Sequence, residues 1–175
     1  MKNKTGLVIR LYRKSDLVAT RLLWAELTRY HSELYSDQDI SGDDPGRGFD
    51  VYISRPDRKG TWVALVDGQV VGFAGLLASV DEEGVGEIEP VVVKSEFRRQ
   101  GIGTALVQWV TRRAKKAGVR FLSVRPVARN KNAVAFFVKL GFNTLGHVDL
   151  FQDLKASSDR QWLSGISVHG QRLKY

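Results

Sequence analysis

The segment Arg98-Arg99-Gln100-Gly101-Ile102-Gly103-Thr104 has the residue types needed to hold an anion against bare backbone. Gly101 and Gly103 let the main chain approach a ligand closely. A helical pattern begins at once, so its first amides point at negative charge with the positive end of the helix dipole behind them. About 30 residues further on comes Asn130-Lys131-Asn132-Ala133-Val134-Ala135-Phe136-Phe137-Val138-Lys139-Leu140-Gly141-Phe142. Just before the glycine turn, Glu87 and Glu89 lie in a strand-like run that ends in Val91 and Val93. Strict alternation puts all four on one strand face. A carboxylate on a largely buried strand is costly unless it is paired or does chemistry, and abstracting a proton is the chemistry that it suits.

Other phosphate sites fit less well. A dinucleotide fold wants a third glycine where Leu106 stands and an acid about 20 positions later, and no acid occurs before Asp149. The Gly-Lys-Ser/Thr of a P-loop is missing. With no cysteine there is no disulfide, thiolate metal site or cysteine nucleophile, and His31, His147 and His169 lack ligand spacing. The expectation is a metal-free protein.

These groups need elements to position them. Leu7 to Tyr12 reads as a first strand. Ser15 or Asp16 caps a helix with Ala19, Leu22, Leu23, Leu27, Tyr30 and Leu34 as its apolar positions. Ser36 to Gly48 is a polar loop, and a short helix carrying Phe49, Tyr52 and Ile53 stops near Pro56. Thr61–Val66 and Gln69–Leu77 flank Asp67-Gly68, a hairpin turn. Gly86 to Val93 is the next strand, and a helix runs from Gly101 to a stop at Gly118. Arg120–Pro126 is a strand, Asn132–Leu140 a helix, Thr144–Leu154 a strand, and Ile166–Tyr175 a closing strand or hairpin. The order predicts an α/β (α+β) fold, with a mixed, mostly antiparallel sheet and helices on both faces. No repeat or long linker divides residues 1–175, so a single domain is expected.

Composition agrees with an ordinary globular chain, at 43% apolar and 26% charged residues. No apolar run is long enough to span a membrane and no signal-peptide pattern opens the chain, so a cytoplasmic location is expected. The net charge of +8 is localised, because no Asp or Glu lies between Glu96 and Asp149 while eleven lysines and arginines do. Nucleic acid is one partner for such a block and a phosphorylated cofactor another. The Asn130–Phe142 segment favours the second through the family resemblance that follows, so no nucleic acid is expected.

The two segments, in this order and spacing, resemble the acyl-CoA-binding half of the GCN5-related N-acetyltransferase (GNAT) family, sharply over residues 87–142. The resemblance implies acetyl-CoA as cosubstrate, without a metal, and direct transfer of its acetyl group to a primary amine in a ternary complex. By that likeness the amides of Arg99, Gln100, Gly101, Ile102, Gly103 and Thr104 hold the diphosphate, and Arg98 stands at the motif's first position. The backbones of Val91 and Val93 meet the pantetheine arm, and Asn130, Ala133, Phe136 and Phe137 line the cofactor. The family's catalytic glutamate falls at Glu87, and other members use the position of Glu89. Where the family usually carries a tyrosine that protonates the leaving thiolate, this chain has Phe137, which leaves a non-catalytic acyl-CoA sensor as the alternative. The acceptor side falls to residues 15–56 and 155–175, with Trp24, Tyr30, His31 and Tyr35 as binding residues. The acceptor is a small-molecule or peptide amine; no membrane partner is expected, and the chain is a monomer or a homodimer.

Overall fold

A computed structural model describes residues 6–79, 82–152, 154 and 162–175. β1 (Val8–Leu11) leads into α1 (Leu17–Tyr35) and, after a polar loop, α2 (Arg47–Ile53). A meander follows, comprising β2 (Arg58–Val66), β3 (Gln69–Ala78) and β4 (Val85–Val93). Then come α3 (Ile102–Lys116), β5 (Phe121–Ser123), α4 (Lys131–Lys139) and the hairpin β6 (Ser164–Val168) and β7 (Gln171–Lys174). The main sheet has the order β1-β2-β3-β4-β5. All pairs are antiparallel except β4 with β5. The β6–β7 hairpin forms a separate two-stranded sheet.

Both faces of the sheet are covered, as the element order required. Ile102, Leu106, Val107, Val110 and Ala114 recur at helical spacing and turn one stripe of α3 onto Trp62, Ala64, Val71, Ala74, Leu76 and Ile88. Phe136 and Phe137 of α4, with Leu140 just past its end, extend that layer. On the opposite face Leu23 of α1 and Phe49 and Tyr52 of α2 pack on Val63, Phe73, Leu77 and Val92. Phe49 and Phe73 meet edge to face at 5.3 Å, and burying each such ring contributes about 1.5–3 kcal/mol. Asp67 and Gly68 adopt left-handed backbone (φ 49° and 79°), which makes the expected tight hairpin turn.

Asp16 stands before α1, and its carboxylate reaches back. It accepts two bonds from the Arg10 guanidinium (2.7 and 2.8 Å) and one from the Arg13 amide (2.8 Å). These bonds hold its carboxyl below the usual range and staple β1 to the start of α1.

Three sequence expectations are corrected. Thr144 to Leu154 forms no strand among the described residues, and Leu145, Leu150, Phe151 and Leu154 are exposed. Its apolar residues fall at 145, 148, 150, 151 and 154, which is not the period of two that would bury one face, and Gly146 interrupts the run. The strand expected at Arg120–Pro126 is paired only at Phe121–Ser123. The third correction concerns β4. Gly75 of β3 faces two residues, Glu89 and Pro90, because the ladder steps from Ala74↔Val91 to Leu76↔Ile88. The extra residue makes a β-bulge and shifts the phase of the strand by one. Ile88 therefore faces α3, while Val92, two pairs further along, faces α1 and α2. Glu87, paired with Leu77 of the second core, shares the α1–α2 side, whereas Val91 and Val93 pack toward α3. The two carboxylates and the two valines are on opposite faces.

Candidate active site

β4 ends at Val93 and the chain turns through Ser95–Phe97 into the glycine segment. Arg99 (φ 56°) and Gly101 (φ 80°) are both left-handed, and α3 begins directly after Gly101. A left-handed residue at the N-cap favours glycine, and a Cβ at Gly101 would meet nothing within 4 Å, so conformation and not crowding selects it. No side chain caps this helix, and the first helical bond to the cap runs from the Ala105 amide to the Gly101 carbonyl at 3.0 Å. The amides of Ile102, Gly103 and Thr104 precede the first bond that the helix can make. This uncapped cradle fits a phosphate or diphosphate. A Cβ at Gly103 would touch the Phe136 ring at 3.4 Å, so Gly103 marks the close approach of α3 to α4.

The Arg98 side chain is directed away from that cradle. Its Nε donates to the Val93 carbonyl (2.9 Å) and its Nη2 to Glu26 Oε1 (2.7 Å), with the Tyr30 ring 5.8 Å from the guanidinium carbon. Glu26 Oε1 also accepts the Ser95 amide at 2.8 Å. Arg98 thus ties the phosphate turn to the end of β4 and to α1. Gln100 bonds the Glu96 carbonyl, and Arg99 is exposed. On α4, Asn130 Oδ1 accepts the Ala133 amide at 3.0 Å, an N-cap bond that fixes where the helix starts. Phe137 is packed between Phe136 (5.0 Å) and Phe142 (5.8 Å).

The sheet opens beside the carboxylates. β4 and β5 pair at Val85–Phe121, Gly86–Leu122 and Glu87–Ser123; past Glu87 the two strands part, and among the described residues the β5-facing edge of β4 from residue 88 to 93 has no strand beside it. Glu87 stands at the fork with its side chain 14% exposed, and Arg125 Nη1 lies 3.1 Å from its Oε2. Burial pushes its carboxyl above the ordinary carboxylate value, Arg125 pulls it down, and neighbouring Glu89 pushes it up again. Glu89 is 44% exposed and faces Arg55 at 3.8 Å, whose guanidinium is already forked onto Asp57 (3.0 and 2.7 Å). At the bulge itself the buried Tyr52 hydroxyl bonds Thr61 Oγ1 (2.8 Å), and burial raises its pKa to about 12, so it stays protonated.

Residues 20–142 match the Acetyltransferase (GNAT) family. The chain belongs to that family. It is 32% identical over 114 residues to the uncharacterised N-acetyltransferase MJ1207 of Methanocaldococcus jannaschii, which covers 55% of this chain and 50% of that protein. The chain spans about half or less of the length of the curated relatives it matches. Among solved structures it resembles the PaiA N-acetyltransferase of Thermoplasma acidophilum in complex with coenzyme A. That likeness has a TM-score of 0.65 at 18% identity, over 78% of this chain and 89% of that one. It also resembles AAC(6')-Iy in complex with the bisubstrate analogue CoA-S-monomethyl-acetylneamine, with a TM-score of 0.63 at 22% identity, over 85% and 99%. At these identities the two structures establish the shared fold.

The four residues that the sequence reading named for the acceptor of this GNAT chain separate. Trp24 stacks on Tyr52 (5.6 Å) and Phe73 (6.4 Å), so its faces are taken up by the core. Tyr30 lies by Arg98 and 6.4 Å from His31, whose burial lowers its pKa and keeps the imidazole neutral. Tyr35 lies between Trp162 (6.5 Å) and the Arg129 guanidinium (4.6 Å). Of the acceptor-side stretch 155–175, residues 155–161 lie outside the described residues. Arg21 of α1 pairs with both Asp44 of the polar loop and Asp50 of α2.

Sequence reasoning missed three side chains. Buried Arg129 donates to the Leu34 and Tyr175 carbonyls (3.0 Å each), which ties α1 and the C-terminal hairpin to the loop that starts α4. Glu26 anchors the phosphate turn, and Arg125 covers Glu87. Arg125 and Arg129 belong to the basic block between Glu96 and Asp149 and Glu26 to the helix α1, and only the tertiary fold reveals their partners.

Proposed function

We propose that the chain is an acyl-CoA-dependent N-acetyltransferase whose residues 1–175 act as one catalytic domain. The observation that carries the reading is the uncapped, left-handed turn at Arg99–Gly101 opening α3, set at the end of a strand whose buried Glu87 lies at the fork of the sheet. The cradle from Arg99 to Thr104 binds the diphosphate of acetyl-CoA, with Arg98 holding the turn in place. The open edge of β4 at Val91 and Val93 receives the pantetheine arm, and Asn130, Ala133, Phe136 and Phe137 form the wall beside it. The coenzyme A complexes of PaiA and AAC(6')-Iy, which share the fold, support this placement.

Acetyl-CoA supplies the acetyl thioester. Glu87 accepts the proton of the attacking amine, directly or through one water, as the nitrogen bonds the carbonyl carbon and the C–S bond breaks. A backbone N–H on the open edge of β4 supports the developing oxyanion. The thiolate takes its proton from solvent, since Phe137 has none to give, and a thiol near pKa 8.5 is a tolerable leaving group. Glu87 is favoured over Glu89 because it is the more buried and its carboxyl is shifted upward, toward the pH at which a base works. The direct route in a ternary complex is favoured because no cysteine is present to carry an acyl group. The acceptor is a primary amine, small or peptidic, and the setting is cytoplasmic.

The test is acetyl-CoA-dependent release of free thiol against a panel of amines. Release with one acceptor class supports the transferase. Tight acetyl-CoA binding with silence across the panel supports instead a non-catalytic sensor, the reading that Phe137 favours.

A further inference from the structure

Arg125 stands two residues past the end of β5, on the strand that leaves β4, with its side chain 68% exposed. The acid it meets is Glu87, the group that must be free to take a proton. A guanidinium at 3.1 Å stabilises the carboxylate and so weakens it as a base. The second arginine in the neighbourhood is committed, because Arg55 is forked onto Asp57 and faces Glu89. Arg125 is therefore the cation at the fork of the sheet that a ligand reaches from solvent while touching the base.

We propose that Arg125 reads an oxyanion on the acceptor, so that the substrate class is an amine bearing a carboxylate or phosphonate one or two carbons from its nitrogen. This rests on Glu87 as the base of an acetyl transfer. The short spacing follows from the 3.1 Å between the two side chains, because a molecule with its amine on Glu87 and its anion on Arg125 has little chain between them. Planar, bidentate recognition of such an anion is what a guanidinium fork does best. Binding shares the charge of Arg125 with the ligand, and Glu87 regains basicity when the acceptor is in place. The acidic surplus that a polycation would seek is small here, because Arg55 and Arg125 offset two of the three carboxylates Asp57, Glu87 and Glu89, and Arg21 offsets one of the pair Asp44 and Asp50.

The experiment measures kcat/KM for thiol release with matched pairs, glycine against glycinamide and β-alanine against β-alaninamide, with aminomethylphosphonate as the phosphonate arm and putrescine as the polycation. The wild-type protein is expected to prefer an acid over its amide by about 10-fold or more. In Arg125→Met that ratio falls to within about threefold of one, and Arg125→Lys recovers part of it, because an ammonium keeps the charge but loses the fork. The acid limb of the pH profile also moves upward in Arg125→Met, which a purely structural role would not produce. A wild-type preference for the amide or for putrescine overturns the proposal, and so does an equal loss for acid and amide in Arg125→Met. Failure to transfer to any amine overturns the transferase reading beneath it, an outcome distinct from transfer without preference.

Discussion

Glu87→Gln separates catalysis from folding at this site. The substitution keeps shape and hydrogen-bonding capacity and removes the charge that takes the proton. A positioned base contributes about 10²–10⁴-fold, equivalent to roughly 3–5 kcal/mol of barrier, so turnover should fall by that factor. The fold should not suffer. Burial raises the Glu87 carboxyl above its ordinary 4.5, so the folded state favours the protonated form, and stability drains away as pH rises through that raised value. At neutral pH the carboxylate therefore costs the fold something that a neutral glutamine does not, while Arg125 is exposed enough to be solvated without it. The assay is thiol release from pH 5 to 9, with acetyl-CoA affinity and thermal unfolding measured on the same samples. In the wild type, kcat/KM should fall on acidification at a pH above that of an ordinary glutamate, since the base works only when deprotonated. Glu89, Arg55, Arg125 and Asp57 all face Glu87 and set that pH together. Activity within threefold of wild type, or a loss matched by lower acetyl-CoA affinity and a lower melting temperature, would refute the assignment.

Gly75→Ala should destabilise the fold by about 2–4 kcal/mol in urea and lower turnover. Its Cβ falls on the Tyr52 hydroxyl and 2.5 Å from the Glu89 carbonyl, so it overpacks the bulge and breaks the Tyr52–Thr61 bond. Asp16→Asn removes a buried, three-bond carboxylate and should cost about 1.5–3 kcal/mol at pH 7. Because the Asp16 pKa is lowered, that difference should shrink as pH falls through it, which acid titration of the two proteins checks. Gly101→Val meets no clash, yet forces a β-branched residue to φ 80°. It should cost about 1–2 kcal/mol of stability and, by calorimetry, weaken coenzyme A binding by about 10-fold or more.

The local elements were legible because their signals are local. Alternation, helical spacing and the Asp67-Gly68 turn gave β1 to β4 and α1 to α4 to within a few residues, and the glycine segment marked the left-handed turn that opens α3. What could not be read depends on partners distant in the chain. Trp24 looked like a pocket residue because an aromatic on a helix has the same pattern whether it faces a ligand or, as here, Phe73. Nothing in the sequence shows Arg21 pairing with Asp44 and Asp50 either. Thr144 to Leu154 has the composition of a strand, but not the period of two that would bury one face.

The bulge in β4 is the least visible feature from sequence and the one on which the site turns. A regular strand would present Glu87, Glu89, Val91 and Val93 on one face, and either the carboxylates or the valines would then face the wrong helices. One inserted residue at Glu89–Pro90 divides the strand into two phases. Its first part turns Glu87 to the α1–α2 side, the side proposed for the acceptor, and its last part packs Val91 and Val93 toward α3, whose N-terminus carries the proposed phosphate cradle. The bulge is held from both sides, by Tyr52 pressed into the space that only a glycine at position 75 leaves open, and by the register of Phe73 on Val92 beyond it. On the proposed reading a single strand can therefore serve two ligands, the cofactor at its open edge and the acceptor on its α1–α2 side. The residue that makes this possible, Gly75, touches neither of them. Its replacement should impair transfer even where both binding surfaces keep every side chain that they have now.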